Sequence, residues 1–143
     1  MKRTSLGMML AAAAAVSMFH ASLALARPQF QKQFIAKYLA DNDNEEYVLL
    51  VKKKVKCFVC HDPTKDEKTG KASKKKRNAY GDELAKLLTK KDKKNIEKIQ
   101  QALGTVAKMK ADPSDPASPT YGERIEQCKL PVDVKIPPKA KKE

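Results

Sequence analysis

The sequence predicts an all-α protein, and three observations carry that reading. Apolar residues recur at three- and four-residue spacing in several separate stretches. No stretch of useful length shows the two-residue alternation of a strand, and no internal repeat divides the chain. Residues 28–40, PQFQKQFIAKYLA, place Phe30, Phe34, Ile35, Tyr38 and Leu39 on one face of a short amphipathic helix. Residues 41–46, DNDNEE, offer capping side chains and early acids for a second helix through EEYVLLVKKKVK, which runs straight into Cys57. From Asp62 to Arg77 the apolar period vanishes. Pro63, Gly70 and the lysines 65, 68, 71 and 74–76 predict a long lysine-rich loop. YGDELAKLLTK resumes helical spacing with Leu84, Leu87 and Leu88. Residues 93–110 give the clearest helix, with Ile96, Ile99, Leu103 and Val106 on one side. The three prolines of DPSDPASPTYG end it. ERIEQCKL predicts a last short turn, and residues 132–143 read as a loose basic tail.

The first 26 residues follow different rules. Lys2 and Arg3 precede an alanine-rich apolar run, and Ala24-Leu25-Ala26 has the small-x-small pattern of a signal-peptidase site. A retained membrane anchor is the alternative, because the run approaches spanning length. Its alanine richness, the interrupting Ser17, His20 and Ser22, and the cleavage pattern favour an exported chain cut after Ala26. The expected compartment is the periplasm or its extracytoplasmic equivalent. Cleavage leaves 117 of the 143 residues, enough for one domain over residues 27–131. In them 28 Lys and Arg face 17 Asp and Glu, a net charge of +11. With four Phe, four Tyr, no Trp and 33% charged residues, the side chains alone are expected to make a poor core that something else fills.

KCFVCHD, residues 56–62, is the stretch that carries chemistry. C-x-x-C-H after a helix is the signature of covalent haem attachment. Cys57 and Cys60 would reach the two vinyl groups on one porphyrin edge, and His61 would sit beneath the iron as proximal ligand. A tethered apolar disc would also complete a sparse core. Two other readings compete. Structural zinc accepts three cysteines and a histidine, here Cys57, Cys60, Cys128 and His61, but the adjacent Cys60 and His61 would have to reach one metal without a spacer. A redox-active C-x-x-C normally belongs to a βαβ setting, which the helical, lysine-heavy surroundings do not offer. Haem c, one per chain, is the favoured cofactor.

After cleavage the chain holds one histidine, His61, and one methionine, Met109, so bis-histidine ligation within one chain is excluded. Met109 is the candidate sixth ligand, and a Met/His pair suits an electron carrier. Against it, Met109 lies on the apolar face of the 93–110 stretch, where methionine is an ordinary gap filler. Lys108 and Lys110 flank it in place of the Pro and Gly common in methionine ligand loops. An open iron, or ligation by Cys128, a lysine or a tyrosine, stays in play. For Cys128, burial in the last short helix is the plainer reading.

The chain resembles small class I c-type cytochromes through Cys57, Cys60, His61 and, more weakly, Met109. KCFVCHD, KKKRNAYG and YGERIEQCKLP also resemble a family of small exported monohaem proteins of planctomycete bacteria, over about residues 28–131. The resemblance implies a small helical cytochrome c-like domain wrapped around one covalent haem, with a long lysine-rich loop after the motif. It further implies that Arg77 and Tyr80 hydrogen-bond the haem propionates. The alternative there is a plain helix start, with Asn78 as cap and Gly81 incidental. Lys52, Lys53, Lys54 and Lys56 before the motif, and the loop lysines after it, suit an acidic redox partner. Peripheral contact with an anionic membrane surface suits them too. Nucleic acid does not fit an exported protein with few aromatics to stack. The expected role is one-electron transfer without catalysis. An open-iron protein that binds small ligands or reduces peroxide is the second reading.

Overall fold

A computed structural model of the chain describes residues 28–64, 74 and 76–135. Residues 1–27, with the expected signal peptide, most of the lysine-rich loop, and residues 136–143 of the expected tail lie outside the described residues. The chain is all-α: the described residues hold no strand, only two isolated backbone bridges. Helices α1 (Pro28–Tyr38), α2 (Glu45–Leu49), α3 (Ala79–Leu87), α4 (Ile96–Ala107) and α5 (Tyr121–Glu126) form the body. Helix α4 packs against α1, α3 and α5.

The starts of these helices follow from short polar side chains. Asn44, Asn78 and Asn95 each accept a backbone N–H two or three residues into α2, α3 and α4, and Thr120 forms a reciprocal capping box with Glu123 at α5. Asn95 also explains why α4 begins at Ile96 and not at residue 93. The lysines before it form a separate 3-10 turn, Lys90–Lys94, with its own Thr89–Asp92 capping box.

The second predicted helix departs from expectation. After α2 the chain widens into a π-helical turn, Leu50–Val55, then tightens into a 3-10 turn, Lys56–Val59. Tyr47, Val51, Val55 and Val59, four residues apart at every step, are all buried. An α-helix advances about 100° per residue, so a four-residue stripe drifts by roughly 40° each step. The wider turn cancels that drift and keeps Val51 and Val55 in the core, while Lys52, Lys53 and Lys54 stay outside. Lys56 then adopts φ 51°, a strained region for a side-chain-bearing residue, immediately ahead of Cys57.

The sparse aromatics form a better core than composition suggested. Fifteen buried apolar side chains make one cluster, from Phe34 and Leu39 through Val51, Tyr80, Ile99 and Val106 to Ile125. Tyr38, Phe34, Tyr80 and Tyr121 run through it as a chain of ring contacts, with centroids 5.0, 6.1 and 5.1 Å apart. Linking four of eight aromatics by tilted and T-shaped ring contacts makes their small number go further. The tail also begins later than expected. Pro131 is buried, Val132 packs on the core, and Asp133 pairs with Arg124 at 2.7 Å. Residues 131–133 are therefore held to the body.

Helix α5 ends in a Schellman motif. The Cys128 N–H donates to the Ile125 carbonyl at 2.9 Å, and the Lys129 N–H to the Arg124 carbonyl at 2.8 Å. Cys128 occupies the left-handed position, φ 56°, where glycine is usual. Chemical denaturation should find Cys128→Gly more stable than Cys128→Ala by about 1 kcal/mol, since only glycine relieves the left-handed backbone.

Candidate functional site

Cys57 and Cys60 stand on one turn. The Cys60 N–H donates to the Cys57 carbonyl at 3.3 Å, closing the 3-10 turn that carries them both. Helix α1 packs on this turn, and the Cys57 thiol reaches Gln31 Oε1 at 3.8 Å. Both cysteines are free thiols and half-buried. Burial pushes the Cys60 thiol up to about 12, and the neighbouring Cys57 adds to the rise. A redox-active C-x-x-C needs the reverse, a thiolate favoured at neutral pH. The zinc reading also lacks its geometry. Cys128 sits at the far end of α5 beside Asn42, at 3.9 Å, and among the described residues no three His, Cys, Asp or Glu side chains gather as a metal would require.

The chain leaves the turn in a short antiparallel ladder. The Asp62 N–H donates to the Lys76 carbonyl at 3.0 Å and the Asn78 N–H to the Cys60 carbonyl at 3.2 Å, with His61 opposite Arg77. The lysine-rich loop is thus closed at its base. His61 Nδ1 lies 3.3 Å from the same Lys76 carbonyl oxygen. A carbonyl only accepts, so a hydrogen bond here needs the proton on Nδ1; in the neutral ring Nε2 is then the acceptor nitrogen. That is the tautomer a metal-ligating histidine takes when a backbone carbonyl orients it.

Helix α3 locks onto the turn from the other side. Asn78 caps α3 through Oδ1, which accepts the Gly81 N–H at 2.9 Å. Its Nδ2 donates to the carbonyls of Phe58 (3.2 Å) and Val59 (3.0 Å). Gly81 is not incidental. A Cβ there would stand 1.9 Å from the Cys60 carbonyl oxygen, so only glycine lets α3 come this close.

Arg77 and Tyr80, expected to share the propionates, have different surroundings. The Arg77 guanidinium is at the surface, bonded to Asp82 at 2.9 Å. Tyr80 points into the core between Phe34 and Tyr121, because the capped helix start turns position 80 inward. Among the described residues its buried hydroxyl has no hydrogen-bond partner, and burial, with a smaller contribution from Cys60, holds it well above the ordinary tyrosine range. An orphaned buried hydroxyl costs about 1–3 kcal/mol and marks a place where a polar group is wanted. Met109 sits in the turn after α4 and not on its face. The Met109 carbonyl accepts the Tyr121 N–H at 3.0 Å, and its side chain packs against the core. Beside the ladder a cleft of about 610 Å³ opens between Asp62–Thr64, Lys76–Ala79 and Val132–Lys135.

Sequence reasoning found the motif but missed Gly81 and the second task of Asn78. The available signal was the N-x-x-G-D spacing directly after the loop, which reads as cap and first turn. No protein-family model matches this chain, and neither does any curated protein or solved structure.

Two outcomes follow from this geometry. Gly81→Ala should cost about 3 kcal/mol by overpacking against the Cys60 carbonyl, read as a lowered denaturation midpoint. In the thiol form of the chain, stability should fall as pH rises from about 9 to about 12. There the unfolded Cys60 has lost a proton that the folded state still holds, and Tyr38 and Tyr47, each raised from 10.0 to about 12, act in the upper part of the same window. Cys60→Ser should flatten the lower part of that decline in a pH series of urea unfolding curves.

Proposed function

We propose that this chain is an exported monohaem c-type cytochrome acting as a one-electron carrier. The observation that carries the reading is the C-x-x-C-H run itself: two free thiols on one turn, followed directly by His61 with its Nδ1 facing the Lys76 carbonyl at 3.3 Å. The residues present fit the group. Cys57 and Cys60 would hold it, each thiol adding across one vinyl group. Sulfur bonds to one carbon and the proton ends on the other, so no oxidant or reductant enters. His61 would be the proximal ligand. The Tyr80 hydroxyl, unpartnered among the described residues, belongs to the residue before Gly81, whose backbone lies against Cys60. When bound, the haem supplies the one-electron iron couple.

Met109 is the proposed sixth ligand. Its side chain packing against the core favours the second reading, an open iron that binds small ligands or reduces peroxide. The proposed partner is an acidic redox protein. Lys52, Lys53, Lys54 and Lys56 are exposed on the wide turn and its end directly before the motif, where they would steer such a partner toward the tethered edge. Anionic lipid headgroups are the other surface this face suits. Residues 1–26 are proposed as a cleaved export signal. Among the described residues no helix is long and apolar enough to cross a membrane.

The deciding measurement is the absorption spectrum of the reduced protein, with and without carbon monoxide, after expression with a haem-attachment system. The expected result is covalent haem with a low-spin spectrum that ignores carbon monoxide, and a Met109→Ala variant that responds to it. A wild-type spectrum that shifts with carbon monoxide transfers the assignment to the open-iron reading. Absence of covalent haem overturns both.

A further inference from the structure

We propose that Asn78 is the positioning residue for haem attachment, holding the two thiols of the motif turn in register by tying down the carbonyls between them; the inference rests on the haem reading above. A helix start needs only an acceptor at its cap, and aspartate or serine serves there about as well as asparagine. The amide of Asn78 does more than that. Oδ1 takes the Gly81 N–H, while both Nδ2 hydrogens are used on the carbonyls of Phe58 and Val59. Its backbone N–H takes the next carbonyl, that of Cys60.

Three successive peptide planes between and at the cysteines are therefore fixed by one residue. Phe58 and Val59 are the two positions that separate Cys57 from Cys60, so the orientation of their peptide groups sets where each sulfur points. Where the turn ends, the Cys60 N–H to Cys57 carbonyl bond is a long one at 3.3 Å, so the donors of Asn78 add restraint where the turn's own bonding is weakest. Two sulfurs must meet two vinyl groups on one rigid edge, and a turn free to rotate its peptides presents one thiol at a time. The donors of Asn78 have no role in the helix cap and a direct one in the turn.

Cap-retaining variants separate the two roles. Wild type, Asn78→Asp, Asn78→Ser and Asn78→Ala are expressed as full chains with a haem-attachment system. Covalent haem per chain, the number of thioether bonds from the pyridine haemochrome band and intact mass, and the helicity and thermal midpoint of the haem-free chains are recorded. The expected result is that Asn78→Asp and Asn78→Ser keep the helicity of wild type, with a midpoint lowered by the lost amide bonds but above that of Asn78→Ala, yet carry about tenfold less doubly attached haem, with single-thioether product accumulating. Two-thioether loading at the wild-type level in both variants overturns the proposal and leaves Asn78 as a helix cap. Loss of haem in step with loss of helicity in Asn78→Asp and Asn78→Ser, the pattern expected of the cap-less Asn78→Ala control, also overturns it, since the effect is then on folding. A wild type without covalent haem removes the reading beneath it as well.

Discussion

The close approach of helix α3 to the Cys60 carbonyl is the constraint on which the rest of the molecule depends. A backbone oxygen sits where a Cβ would be, so the first turn of α3 and the motif turn touch main chain to main chain. With that contact made, position 80 faces inward and Tyr80 becomes the central ring between Phe34 of α1 and Tyr121 of α5. The ladder at the loop base follows too, because Asn78 N–H can reach Cys60 only when α3 begins beside it. The orientation of the His61 ring is downstream of the same arrangement, since the Lys76 carbonyl that faces it belongs to the ladder.

The tyrosines show how few aromatics can organise a small basic protein. Each buried ring has a polar end that must be satisfied or left at a cost. Tyr38 donates to the Leu103 carbonyl of α4 at 3.0 Å, and Tyr47 donates to the Lys129 carbonyl beyond α5 at 2.9 Å. These bonds staple elements distant in sequence while the rings fill the core. Tyr80 departs from the pattern, with a hydroxyl that no chain atom answers. Its ring is packed between Phe34 and Tyr121, while its hydroxyl finds no partner among the described residues.

Much of the architecture was legible in the sequence because it rests on local rules. The helix at 28–38 and the helices carrying Leu84 and Leu103 follow from apolar spacing and caps, whereas α4 stops at Ala107, ahead of the prolines expected to end it. The π turn was legible in principle through the strict four-residue interval from Tyr47 to Val59, but a search for 3.6-residue periodicity absorbs that stripe into an ordinary helix. Gly81 and the donors of Asn78 were not legible, since both act on carbonyls some twenty residues earlier and no local pattern announces a main-chain contact. The expectation of an incomplete core erred by counting aromatics without their placement. The motif residues were identified by chemistry alone, whereas the Lys76 carbonyl that faces His61 required coordinates.

The ladder between Cys60–Asp62 and Lys76–Asn78 has a consequence for how this chain can vary. Both ends of the lysine-rich segment are held by backbone bonds that involve no side chain within the segment. Geometry at the base is therefore independent of what lies between. Doubling the length of such a closed segment costs only about 0.6 kcal/mol in closure entropy. The charge near the motif can change freely in amount and reach while the thiols and the imidazole stay where they are. The lysine-rich segment and the motif turn are thus joined through two backbone hydrogen bonds at its base.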